Sequence, residues 1–314
     1  MKDILTGFEK PYHELTLIDF QRRFPDEKAC RNYLMKMRWF VGPRCPNGCD
    51  SKVDMIRKRN ADMFECRMCG KQTSPTVGTI FHKSHLPLLT WFWAIFLMAT
   101  SKKGISMLYL QKQLGIKSYR AAWLMGHKIR YAMLSRDALY TLNGTVQADE
   151  IFIGGKQSKR ARKIKSNKTP FLIGVEESEK HRPRFVTFEE LEAVYDKSIL
   201  DALEKKVDKG STLKSDGATA YAKAKQKGYK HLASVYSKHP EETAEHLKWV
   251  NVLTSNLKRF LLSTYQGVPP KYRDAYLAEF AYRFNRRFWP RQAFDRLLFA
   301  CINTDPVTLP DLKT

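Results

Sequence analysis

The chain reads as a mixed α/β protein, with a layered strand and helix domain preceded by a small cysteine-bearing module and a helical segment. Three observations predict this. From about residue 141, apolar strands come first and then alternate with helices, the pattern of an α/β layer. Two close cysteine pairs fall in the turn-rich stretch from Gly42 to Gly70. On either side of that stretch, apolar residues recur at helical spacing. The 314 residues leave room for two or three domains with a sizeable core, and a hydrophobic fraction of 43% argues against wholesale disorder.

Residues 1–40 are predicted as an amphipathic helical segment, with Asp26 capping a helix through Ala29, Tyr33, Leu34 and Met37 toward Trp39. Residues 41–85 hold the cysteines. Three residues separate Cys45 from Cys49, two separate Cys66 from Cys69, and sixteen lie between the pairs. Two such pairs can give four thiolates to one tetrahedral zinc ion. Gly48 and Gly70 stand beside a cysteine of each pair, where a tight knuckle needs a residue without a Cβ. A structural Zn²⁺ is therefore expected. His82 and His85 are read as non-ligands because four cysteines complete the shell, and Cys30 and Cys301 as isolated structural residues. Cysteines clustered for metal point to a reducing compartment, the cytoplasm.

Residues 86–140 are predicted as a helical module. Leu86 to Ala99 is apolar but only about 14 residues long, short of the roughly 18 to 20 that span a bilayer, so a buried helix and no membrane partner are expected. Met1 to Lys10 lacks the apolar run of a signal peptide. Ile105–Leu114 and Ser118–Tyr131 read as two helices about the turn Gly115-Ile116-Lys117, with Leu108, Leu114, Ile116 and Trp123 on the buried side. This is helix-turn-helix spacing, which a plain helical hairpin shares. The second helix carries His127 and the candidate DNA contacts Arg120, Lys128 and Arg130. The charge points the same way. Lys and Arg total 55 against 32 acids, a net charge of +23, and a polyanion is the partner that relieves such self-repulsion.

Residues 141–300 form the predicted layered domain, followed by a tail at 301–314. Strands are expected at Thr145–Ile153, Phe171–Val175, Phe185–Phe188, Thr212–Ser215 and Leu232–Tyr236. Helices are expected at Ile199–Val207 and Glu245–Leu262, and in the C-terminal part, broken at Gly267–Pro270 and Pro290. The run Lys156, Lys159, Arg160, Arg162, Lys163, Lys165 and Lys168 reads as a basic loop.

Within this domain Asp149 lies inside an apolar strand, where a carboxylate is costly unless a cation compensates. Asp216 ends another strand. Two strand-borne aspartates side by side repel, and divalent cations between them relieve the repulsion and make a hydrolytic site. Strand alternation turns Glu150 to the opposite face, as a non-ligand. Asn251 follows Asp216 by 35 positions, and Lys258 stands two helical turns further on the same helix face. An amide oxygen can coordinate a hard cation, and the lysine can meet a DNA phosphate. Near the end, Arg283, Arg286 and Arg287 are interleaved with Tyr282 and Phe284; the arginines are candidate DNA contacts and the aromatics core residues.

The segments Val146–Lys156 (VQADEIFIGGK), Leu213–Tyr221 (LKSDGATAY), Trp249–Leu261 (WVNVLTSNLKRFL) and Tyr276–Arg287 (YLAEFAYRFNRR) resemble, in order, those of zinc-ribbon insertion-sequence transposases of the DDE superfamily. The entry segment Cys30–Pro46 and the cysteine module resemble that group's N-terminal part. The resemblance implies an RNase H-like domain, Mg²⁺ (or Mn²⁺) dependence, and cleavage of double-stranded DNA at element ends followed by strand transfer, by a homo-oligomer on nucleoid DNA. It carries catalytic roles to Asp149, Asp216, Asn251 and Lys258. Asn251 departs from a full acidic triad and leaves one charge fewer to hold metal; Glu245 is the nearest acid that could substitute. Two other readings remain at this point, a domesticated DNA-binding regulator without catalysis and a nuclease that cuts without joining.

Overall fold

The computed structural model describes residues 15–49, 55–57, 62–154, 168–235 and 240–312. The expected basic loop lies outside them except for Lys168. The described residues divide into two compact units. One holds the chain up to Ser101, Met107–Ala132 and the segment from Trp289; the other holds Lys102–Ser106 and Met133–Phe288.

In the first unit, α1 (Leu17–Arg23) begins with a capping box between Thr16 and Asp19, and Asp26 caps α2 (Glu27–Arg38) as expected. Three short antiparallel strands, β1 (Met55–Arg57), β2 (Phe64–Cys66) and β3 (Gln72–Thr73), carry the cysteine module. Helix α3 (Leu88–Thr100) starts after Pro87 with no side-chain cap of its own. The Glu27 carboxylate supplies one from α2, accepting from the Leu88 and Leu89 N–H groups at 2.8 and 2.9 Å. The C-terminal helix α10 (Ala293–Ile302), expected with the layered domain, packs instead on α2 and α3. There Phe294 meets Phe20, Phe24 and Phe92 with ring centroids 5.0–5.4 Å apart. Arg23 and Tyr33 hold Asp295 at 3.0 and 2.7 Å.

Helices α4 (Met107–Gln113) and α5 (Tyr119–Asp137) take the expected places about the Gly115 turn. The buried stripe of α4 is Met107 and Leu110, while Leu108 is exposed. Ile116 of the turn is buried as expected.

The second unit is a five-stranded mixed sheet in the order β6-β5-β4-β7-β8. Its strands are β4 (Thr145–Ile153), β5 (Thr169–Glu177), β6 (Pro183–Glu190), β7 (Thr212–Ser215) and β8 (Lys230–Ala233). The pairs β4/β5 and β5/β6 are antiparallel, and β4/β7 and β7/β8 parallel. Central strands read as nearly continuous apolar runs because both faces are covered. One face packs Val146, Ala148, Leu172 and Leu213 against α6 (Asp196–Lys206). The other packs Ile151, Ile173 and Val175 against α8 (Lys248–Tyr265) and α9 (Arg273–Asn285), which follow the short helix α7 (Pro240–His246). Among the described residues no helix is long and apolar enough to cross a membrane.

Candidate functional site

The four sulfurs of Cys45, Cys49, Cys66 and Cys69 lie within 4.8 Å of one another. Each pair is wound into a knuckle by backbone bonds: Gly48 N–H donates to the Cys45 carbonyl, and Gly70 N–H to that of Cys66, at 3.1 and 2.8 Å. Both glycines sit at positive φ, 73° and 70°, where a Cβ would strain the turn. Zinc–sulfur bonds of about 2.3 Å place tetrahedral thiolates at about this spacing. Hydrogen bonding to the Cys69 and Cys45 sulfurs pushes the Cys49 thiol up to about 12, the response of crowded thiols that share protons where a cation would replace them. The donor set fits zinc.

The second cluster forms at the sheet. Gln147 of β4 is level with Lys214 of β7. Two residues on stand Asp149, still within β4, and Asp216, the first residue past the end of β7. Burial pushes Asp149 up to about 6, and the neighbouring charges of Glu150 and Asp216 add to it. Asp216 turns with its Oδ1 accepting from the Ala218 N–H at 2.9 Å, across Gly217 at φ 81°. Glu150 faces the other side of β4, toward Tyr221 in the core beneath α6, in keeping with alternation. Burial raises its pKa as well, and one of its oxygens is buried without a hydrogen-bond partner. A buried Asp149 carboxylate whose ionisation is opposed, with the Asp216 charge near enough to act on it, is a hard oxygen donor that a divalent cation would compensate.

Asn251 stands in the first turn of α8, exposed beside the buried stripe Val250, Leu253, Leu257 and Phe260. Its helix is anchored near Asp149, since the Gln147 side-chain oxygen accepts from the Trp249 and Val250 N–H groups at 2.9 and 3.1 Å. Lys258 lies on the same flank, about 10 Å along the helix axis, and is exposed. Glu245 is exposed at the end of α7 and paired with Lys248 at 2.9 Å.

The basic residues divide sharply. Arg120 is exposed in the first turn of α5. Lys128 is buried and donates to the Ile80 carbonyl at 3.2 Å, and Arg130 is fully buried. An interior position gives neither a path to a phosphate, which corrects the expectation for both. His127 of the same helix is stacked on Trp123, and burial takes its pKa down to about 3. Arg283 packs on Phe260 beside Glu279, and Arg286 pairs with Asp137 at 2.6 Å while lying 3.5 Å over the Tyr282 ring. Arg287 lies 3.6 Å over the Phe284 ring and donates to the Arg184 carbonyl at 3.0 Å. In this conformation these three side chains tie α9 to its own unit. Gln147, Lys214 and the buried Glu177 were not singled out from sequence. The available signal was spacing, because Gln147 and Lys214 each stand two residues before an aspartate.

A model of the ISXO2-like transposase domain matches residues 141–285, and a model of the transposase zinc-ribbon domain matches residues 25–72. A protein of Halobacterium salinarum described as an uncharacterized protein in transposable element ISH50 is 25% identical over 146 residues. That stretch is 45% of this chain and 47% of the relative, so the match spans about half of each. The four-sulfur knuckles fall inside one matched region and Asp149, Asp216 and the start of α8 inside the other, and the chain accordingly carries a transposase zinc-ribbon domain followed by an ISXO2-like transposase domain.

Proposed function

We infer that the chain is a DDE-type transposase in which Asp149, Asp216 and Asn251 hold divalent cations for cleavage at element ends and strand transfer into target DNA. The observation that carries this is the parallel pairing of β4 with β7, which supports a shared site for Asp149 and for Asp216 just past β7, with Asp149 pushed to about 6 chiefly by burial. The strand order, with three antiparallel strands continued by two parallel ones, supports an RNase H-like reading of the unit. Mg²⁺ or Mn²⁺ bound there would activate water or a 3′-hydroxyl and stabilise the leaving oxygen. Asp149 and Asp216 supply the charge, Asn251 adds a neutral oxygen from α8, and Lys258 on the same flank meets a phosphate of the DNA strand. The helix-turn-helix reading of α4 and α5 places duplex DNA against the exposed start of α5, with Arg120 as its cation. Synapsis of two ends calls for a homo-oligomer on chromosomal DNA in the cytoplasm.

The test is cleavage and joining of DNA carrying the gene's own flanks, with Mg²⁺ or Mn²⁺, for wild type and Asp149→Asn. Metal-dependent nicks at the flanks with joined products, absent in the variant, are expected. Binding at the flanks without a metal-dependent cut would overturn the catalytic reading in favour of a regulator, and cuts without joined products in favour of a nuclease.

A further inference from the structure

Beneath Asp149 and Asp216 lies a polar network that spans three strands and a helix. Gln147 is 1% exposed, two residues before Asp149. Its Nε2 donates to Glu177 of β5, and Lys214, two residues before Asp216, donates to both oxygens of the same carboxylate at 3.1 Å. At its other end the Gln147 Oε1 accepts from Trp249 and Val250, the second and third residues of α8. Those are the amides that an N-cap side chain ordinarily satisfies. The residue at the N-cap is Leu247, which makes no side-chain cap bond. Gln147 therefore caps α8 from the sheet, and a carboxamide suits the place because it donates at one end and accepts at the other.

We propose that Gln147 is the positioning residue of the cation site, setting where the Asn251 amide stands relative to Asp149. This rests on the reading of Asp149, Asp216 and Asn251 as cation ligands. Asn251 directly follows the second capped residue, so the two bonds that dock the helix start also set the placement of the neutral ligand. A neutral amide has more need of this than a carboxylate. Its dipole attracts a cation only at short range, whereas a full charge acts over a longer distance. Glu177 and Lys214 complete the arrangement, since the carboxylate orients the Gln147 amide and the lysine ties it to the strand of Asp216.

The experiment compares wild type, Gln147→Ala, Gln147→Glu and the double variant Gln147→Glu/Glu177→Gln, each as the full chain. Amide hydrogen exchange at Trp249 and Val250 is measured, together with Mn²⁺ affinity by titration without DNA. Gln147→Ala is expected to exchange at least tenfold faster at those two amides and to bind Mn²⁺ at least fivefold more weakly. Gln147→Glu sets two carboxylates against each other and is expected to weaken Mn²⁺ binding, which the double variant recovers by exchanging the amide and acid. Unchanged exchange overturns the capping role. Faster exchange with unchanged Mn²⁺ affinity, or a double variant no better than Gln147→Glu, overturns the positioning role and leaves the ligand assignment standing. Wild type that binds no more Mn²⁺ than Asp149→Asn overturns the ligand assignment itself, and this inference with it. Should Gln147→Ala fail to fold, the recovery in the double variant decides.

Discussion

Removing the charge at Asp149 should stabilise the metal-free protein, by an amount that depends on pH in a definite direction. Its carboxyl titrates at about 6 rather than at 3.8, because burial and the charges of Glu150 and Asp216 oppose ionisation. Between those two pH values the folded state holds a proton that the unfolded state releases, so folding stability falls as pH rises from about 4 through about 6. A difference of about 2 pH units at 1.36 kcal/mol each gives about 3 kcal/mol lost by pH 7. Asp149→Asn keeps a side-chain oxygen for the Glu150 N–H, which donates to Asp149 Oδ1 at 2.9 Å, while deleting the charge. Urea unfolding of both proteins in EDTA at pH 4, 5, 6 and 7.5 should show equal stability at pH 4 and a growing advantage for the variant above it. Saturating Mg²⁺ should stabilise wild type and narrow the gap at pH 7.5, since a ligand of the folded state shifts the balance by mass action. A gap independent of pH, or wild type the more stable at pH 7.5 without metal, would refute the reasoning.

Four further outcomes are expected. Cys66→Ser should lower zinc content from one ion per chain, read by elemental mass spectrometry, and expose the cysteine module to proteolysis. Gly217→Ala would place a Cβ 2.9 Å from the Val235 side chain at a φ of 81°. It should cost about 1–2 kcal/mol in denaturant melts and lower nicking by turning Asp216 away. Arg286→Ala leaves Asp137 buried without its ion pair and should destabilise by about 3–5 kcal/mol. If it lowered only DNA affinity in a gel-shift assay, Arg286 would be a phosphate contact after all. Arg120→Ala should leave stability within about 0.5 kcal/mol and weaken duplex binding, with a salt dependence shallower by about one counterion.

Much of this molecule could be read in local patterns. Cysteine spacing announced the ribbon because metal geometry constrains residues a few positions apart. Alternation along β4 put Asp149 and Glu150 on opposite faces, and the Asp26 cap marked the start of α2. Aromatic and basic residues were harder. Lys128, Arg130 and the three arginines at the C-terminal end of α9 have the composition of a nucleic-acid surface, yet burial or pairing holds them within their units. A charge on a helix reads the same from sequence whether it faces water or a buried acid, because the partner, such as Asp137, is distant in the chain.

The sequence by itself marked the four-cysteine set and most strands of the layered domain, because both depend on chemistry and periodicity within a few residues. Only the tertiary structure decided that β7 runs parallel beside β4, that α10 returns to α2 and α3, and that Gln147 caps a helix about a hundred residues away. Those arrangements come from burying apolar faces and satisfying polar groups across long loops, where the partner is chosen by packing rather than by chain neighbours.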